Sequence, residues 1–258
     1  MMTNKIGGYL KLFSRINILK TLYFNFKMLP LKEALKLPFL FFGKVDFGPL
    51  SGSIVISSPV RMGIFRWGMV NDGFAPSKMF SQFSLGKQAC LEIYGRVDVG
   101  CGVVFRISGH LTMSNNSFIG SKGIVACSHK ISLGECARIG FGSVLMDTNH
   151  HFVIHGGCAR RKEGTIVIGN YCWVGNSCTV SKGCILPDNT IVAAKSFIAK
   201  DYTECGEYCL LVGSPAKMKQ TDVRRLYDIR LEQSILNYFD LHKDAEIYCL
   251  SKEERDII

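Results

Sequence analysis

The chain has 258 residues, 47% of them apolar and 20% charged, and 31 basic side chains against 21 acidic ones leave it at +10. That length can bury a sizeable core, as one large domain or one domain with small appendages, and the composition is that of a soluble globular protein. Its longest apolar runs, LPFLFFG among them, fall far short of the ~20 residues needed to cross a bilayer.

The charge is uneven. Residues 1–45 carry eight Lys or Arg and one acid, Glu33, with aromatics and leucines interleaved in YLKLFSRINILKTLYFNFKML. Two readings stay open: a basic amphipathic segment touching an anionic membrane surface, or a helix packed on the main domain with its charges solvated. Nucleic acid is not an expected partner, since no recognition motif accompanies the charge. Every apolar run in MMTNKIGGYLKLFSRINILK is broken by Lys or Arg, so no signal peptide is read there. A cytoplasmic location, at most peripheral to the inner face of the membrane, is the default.

From residue 168 a clock of six begins. Ile168, Val174, Val180, Leu186, Val192 and Ile198 are all large aliphatics, and the residues four further on begin Cys172, Cys178, Cys184, Thr190 and Ser196, all small. A period of six fits neither the 3.6-residue helix nor a long alternating strand. It predicts a short strand plus a sharp corner, three of which make one triangular coil. The aliphatic points into the prism, and the small residue faces inward beside a corner. Coils with open edges become stable by stacking. Fainter traces run backwards through Leu145, Ile139 and Leu133, through Val125 and Ile119, and through Leu111, Phe105, Val99 and Ile93, with Ile54 and Val60 as a possible first coil.

The same clock accounts for the cysteines. Eleven are present but no C-x-x-C pair occurs, which argues against zinc ribbons and redox motifs. Cys172, Cys178 and Cys184 are predicted to be small core fillers.

One interruption, MDTNHHFVIHGGCARRKEGT, breaks the coil at 147–165 and carries three of the six histidines. Loops ejected from a rigid scaffold are where catalytic side chains tend to sit. Beyond Lys217, TDVRRLYDIRLEQSILNYFDLHKD has apolar residues at helical spacing.

The hexads, together with YCWVGN, AAKSFIAKD and VGSPAK, resemble the left-handed β-helix acyltransferases, and more nearly the maltose, galactoside and bacterial polysaccharide O-acetyltransferases. The resemblance is specific from about residue 134 to 217 and absent from the N-terminal segment. It implies a mainly β fold, a left-handed parallel β-helix shaped as a triangular prism. The chain would divide into an N-terminal basic amphipathic, helical segment (1–48), the β-helix domain with its active-site loop 147–165 (49–216), and a C-terminal helical extension (217–258). The handedness comes from the resemblance, because parallel crossovers are ordinarily right-handed.

By the same resemblance, a loop histidine takes the proton of the acceptor hydroxyl, a task suited to imidazole near neutral pH. MDTNHHFV follows a motif form that selects His151; a shorter form would select His150. The resemblance further implies acetyl-CoA as co-substrate, no metal, a saccharide acceptor in surface polysaccharide synthesis, and a homotrimer with the site between neighbours. It assigns Trp173 to the acceptor and thioester tunnel, and Asn176 to the pantetheine arm. Ala194, Ala199 and Lys200 would line coenzyme A, with Lys217 near the nucleotide phosphates. Ala193-Ala194-Lys195-Ser196 departs from the family's G-A-G-S by placing a lysine where a glycine is usual. Two other readings are a γ-class carbonic-anhydrase-like zinc protein, drawing on His110, His150 and His155, and a non-catalytic β-helix scaffold.

Overall fold

The structure, a computed structural model, describes residues 15–69 and 79–255. The stretches 1–14, 70–78 and 256–258, which belong to the N-terminal segment, the prism and the C-terminal extension in the division above, lie outside the described residues.

Each turn of the chain lays one short strand on each of three faces. The first coil is β1 (Phe39–Phe41), β2 (Lys44–Leu50) and β3 (Ser53–Ile56), and these strands begin sheets of nine, seven and six strands. Pairing is parallel throughout the prism. The first sheet ends in one antiparallel partner, where Leu210–Gly213 meets Ala216–Gln220. The faces are called first, second and third below. The prism's strands thus begin within the stretch read as an N-terminal segment. Phe39, Phe41 and Phe65 fill the first turns with rings where later coils have aliphatics, so the count of six does not show there.

In the later coils the clock holds. Ile168, Val174, Val180, Leu186, Val192 and Ile198 are all buried, and so are Cys172, Cys178, Cys184, Thr190 and Ser196 beside the corners. Parallel register stacks like on like: Val99 and Ile139 flank Ile119 on the first face, and Phe105 and Leu145 flank Val125 on the second. Burying one such aliphatic contributes about 1.5–3 kcal/mol, so a stack of several sets the register of the coil. Tyr202 breaks the small-residue rule at the last coil, where its buried ring fills the open end and its hydroxyl donates to the Ala216 carbonyl at 3.1 Å.

The corners need left-handed backbone, and several bulky residues supply it, such as Tyr171 (φ 55°) and Lys195 (φ 61°). Their strain is offset by the coil-to-coil ladder: the Tyr171 N–H donates to Glu135 O at 2.7 Å and the Lys195 N–H to Asn176 O at 2.9 Å.

The N-terminal end is closed by the helix Ile18–Met28. Its buried face carries Thr21, Phe24 and Asn25, and Phe24 seats against Phe39, Phe41, Phe47 and Phe83 with ring centroids 4.9–5.4 Å away. β1 is the outermost strand of its sheet, so its free backbone groups would otherwise be an exposed edge. Asn25 takes the place of a neighbouring strand. Its Oδ1 accepts from the Phe39 N–H at 3.1 Å, its Nδ2 donates to the Phe39 carbonyl at 2.8 Å, and the Phe41 N–H donates to Thr21 Oγ1 at 3.1 Å. Replacing Asn25 by alanine would leave both Phe39 groups buried and unpaired, so the expected loss is about 2–4 kcal/mol. Urea denaturation measures it, and an unchanged midpoint would show that the cap does not depend on this amide.

Candidate active site

The second face holds a groove of about 560 Å³, walled by Val104, Arg106, Ile124, Ala126, Met146 and His150, with Ser84, Ser108 and Ser128 also on its lining. Register explains its composition. Ser84, Arg106, Ala126 and Met146 stand in one column across successive coils, and Val104 and Ile124 stand in the next. Alternate residues of each strand point outward, so the prism's rigid ladder fixes the spacing of these side chains. Among the described residues no carboxylate lines the groove and none pairs with Arg106.

The ejected loop leaves the second face after Met146 and re-enters the third at Ile166. Its tip is a small antiparallel hairpin, Ile154–His155 against Cys158–Ala159. Asp147 anchors its root. This fully buried carboxylate accepts the Ser128 N–H at 2.7 Å and the His129 N–H at 2.8 Å, while its backbone carbonyl accepts from Gly164 at 2.9 Å. Both stems of the loop are thereby tied to one corner of the coil before it. Lys182 Nζ donates to the Arg161 carbonyl at 2.6 Å and steadies the returning stem.

The two candidate histidines part company here. His150 takes a left-handed angle (φ 59°), its N–H donates to Thr148 Oγ1 at 3.0 Å, and it lines the groove. Both are exposed, but His151 has its N–H turned back to the Asn149 carbonyl at 2.7 Å and is not part of the groove wall.

The residues expected along coenzyme A divide between two faces. Asn176 and Ala194 lie at the corner between first and second faces, where Asn176 Oδ1 accepts the Phe141 N–H at 3.0 Å. A Cβ on Gly175 would fall 2.7 Å from the Ala194 nitrogen, so glycine is what lets these two coils stack there. Ala199 and Lys200 follow the second-face strand Phe197–Ile198 at its other edge. All four thus border the second face beyond the groove, and all are exposed. Trp173 and Lys217 instead belong to the first sheet, where Trp173 pairs with Arg138 and Ile191, and Arg225 from the C-terminal arm lies over the indole at 5.3 Å. The lysine of AAKS, Lys195, stands at the corner with its side chain exposed.

The cysteines of the repeat are held as thiols by their surroundings. Burial pushes the Cys172 thiol up to about 12 and raises Cys178 and Cys184 as well. Cys172 and Cys178 spend their S–H on the Pro187 and Ala193 carbonyls, each at 3.1 Å. The three histidines of the zinc reading are not gathered: His110 stands on the third face at 3.1 Å from Glu92, while His150 faces the second-face groove. Among the described residues no three His, Cys, Asp or Glu side chains converge.

Two residues beside these positions carried no sequence signal. Arg106 sits in a weak stretch of the repeat, and only coil-to-coil register brings it to the histidine's groove. Arg225 lies in a segment read as helical, whereas the helix begins later, at Ile229, capped by the Asp228 carboxylate on the Leu231 N–H at 2.8 Å. Asp147 was visible as the first letter of the loop motif, but not as its anchor.

No family model and no curated protein matches the chain. Among solved structures, the polySia specific acetyltransferase NeuO superposes with a TM-score of 0.53 at 15% identity, covering 77% of this chain and 98% of its own. The polysialic acid O-acetyltransferase OatWY aligns over 76% of this chain and 99% of its own, at 20% identity and a TM-score of 0.49. AntD, an N-acyltransferase from Bacillus cereus, aligns over 82% of this chain and 97% of its own, at 15% identity and a TM-score of 0.41. The likeness to NeuO shows the shared fold, the left-handed parallel β-helix that the hexads and their companion motifs predicted.

Proposed function

We propose that this chain transfers an acetyl or other short acyl group from coenzyme A to a saccharide hydroxyl, with a loop histidine as base. The observation that carries the reading is the placement of His150 on the wall of a groove whose face continues between Asn176 and Ala194 on one edge and Ala199 and Lys200 on the other. The donor's acyl group is carried as a thioester, whose carbonyl carbon accepts a nucleophile. The His150 imidazole takes the acceptor's hydroxyl proton as its oxygen bonds to that carbon. The carbon–sulfur bond then breaks, and the imidazolium returns the proton to the departing thiolate. No Ser or Cys needs to become a covalent carrier, which agrees with the raised, buried thiols of the repeat.

The acceptor is a precursor of a surface polysaccharide, and the groove favours one bearing a carboxylate or phosphate. Arg106 supplies a cation, the serines supply hydroxyls, and among the described residues no acid opposes an anion there. We further propose that three parallel prisms assemble so that a neighbour closes the groove; the partly exposed Ile124 and Phe197 on the outside of the second face support this.

The test follows free thiol release from acetyl-CoA with a panel of acidic and neutral saccharides, alongside a thermal-shift titration with coenzyme A. Coenzyme A should raise the melting temperature, because a ligand of the native state alone stabilises it. Acidic saccharides should support turnover above neutral ones, and Arg106→Ala should remove the difference. No coenzyme A response would favour a non-catalytic scaffold, turnover with amines only would refute the hydroxyl assignment, and a monomer by light scattering would remove the trimer.

A further inference from the structure

The cap helix Ile18–Met28 is amphipathic in an unusual sense, because the side turned away from the prism is also apolar. Thr21, Phe24 and Asn25 are buried, whereas Leu19 is 81%, Ile18 65%, Tyr23 53% and Phe26 47% exposed. At 100° per residue these four, with Leu22, form one continuous outward stripe, bordered along one side by Lys27 and Lys20. Leu31 and Leu35, each 65% exposed, extend it into the following turn Leu31–Ala34 beside Lys32 and Lys36.

Charge identifies the occupant. Residues 15–46 carry Arg15, Lys20, Lys27, Lys32, Lys36 and Lys44 against Glu33 and Asp46. Among the described residues none of the six basic groups is in an ion pair. A second copy of the same face would set lysine against lysine, since a two-fold contact brings identical patches together. We propose that this face docks on an anionic lipid surface, with the helix lying in the interfacial plane.

The geometry suits lying rather than crossing. At about 1.5 Å per residue the helix is roughly 16 Å long, too short to span, and no helix among the described residues is long and apolar enough to cross a membrane. The Asn17 N–H bonds to Phe41 O at 2.8 Å, and Asn25 is bonded to Phe39, so the helix stays parallel to the end of the prism it plugs. Its stripe of Leu, Ile, Tyr and Phe can sink to the boundary between headgroups and acyl chains, while the lysines along its border reach the phosphates. Each basic residue held near such a surface raises partitioning by about five-fold, an effect that salt screens.

The experiment is sedimentation of the full chain with vesicles of phosphatidylcholine alone, or mixed with phosphatidylglycerol, in low and high salt. Binding is expected to the mixed vesicles only, and to fall in high salt. The variants Leu19→Ser/Phe26→Ser and Lys27→Glu/Lys32→Glu change only exposed side chains, and far-ultraviolet circular dichroism confirms that they fold. Each should lower partitioning by ten-fold or more, with acyl transfer to a soluble acceptor unchanged. Equal binding to both vesicle types, no binding at all, or parental binding by both variants would overturn the proposal. So would a Leu19→Ser/Phe26→Ser variant that drops to a smaller assembly in light scattering while its vesicle binding is unaltered, which would make this face a contact between copies.

Discussion

Replacing His150 by alanine is expected to lower turnover by roughly 10²–10⁴-fold, the usual cost of losing a positioned general base. His151→Ala is expected to stay within a few-fold of the parent. The difference rests on one backbone angle. At φ 59° the chain turns so that His150, itself exposed, lines the groove beside Met146, while the next residue is left off the groove wall. Both side chains are exposed and neither belongs to the prism's core, so urea midpoints should match the parent's. Coenzyme A should also raise the melting temperature of both variants as is expected of the parent's, since in the proposed mechanism the imidazole meets the reacting atoms and not the nucleotide. Should His151→Ala alone abolish turnover, the longer motif form identifies the base and the groove is not where the acceptor sits. Parental turnover in both variants, with coenzyme A still bound, would remove histidine from the mechanism.

Why the motif could not choose between these neighbours is physical. A sequence pattern reports which residues follow the aspartate, while the direction of each side chain depends on a left-handed residue that no glycine announces. The groove was hidden for a related reason. Arg106, Ala126 and Met146 meet only because three coils stack in register, and the chain distance between them carries no local period. The core was legible wherever a single aliphatic per face fills the prism, as at Ile168 through Ile198, because one packing rule repeats without insertion. It faded toward the N-terminus. There β2 shifts register between Phe47 and Leu50, and phenylalanines replace the aliphatics. Trp173 has a neighbour that its motif does not show. Its motif is intact, and the Arg225 guanidinium stands over the still exposed ring from a segment whose path no hexad predicts. The cap helix was open between solvated packing and membrane contact; its buried face shows the packing, and its exposed apolar face is what the proposed lipid contact rests on.

Asp147→Ala should do its damage through His150, three residues along the same stem. The carboxylate holds two N–H groups of the preceding corner, Ser128 at 2.7 Å and His129 at 2.8 Å, from a position with no solvent exposure. Deleting it leaves those donors facing a small void. His129 is exposed, so water can reach part of the gap, and the expected stability loss is about 1–3 kcal/mol. For a domain of this size that lowers the melting temperature by about 2–4 °C per kcal/mol. The larger effect falls on catalysis. A displacement of about 1 Å in a reacting group can cost 10²-fold, and the loop root sets where the imidazole stands against the groove. Turnover should therefore drop by about 10²-fold with coenzyme A binding retained, because Asn176, Ala194 and Lys200 stand on other coils. Asp147→Asn separates anchoring from mere volume. The amide keeps one acceptor but turns an NH₂ toward the other N–H, so it should recover part of the stability and only part of the rate. Parental turnover in a destabilised Asp147→Ala would mean that the loop finds its place without this carboxylate, and His150 would then owe its position to Thr148 and the hairpin stems instead.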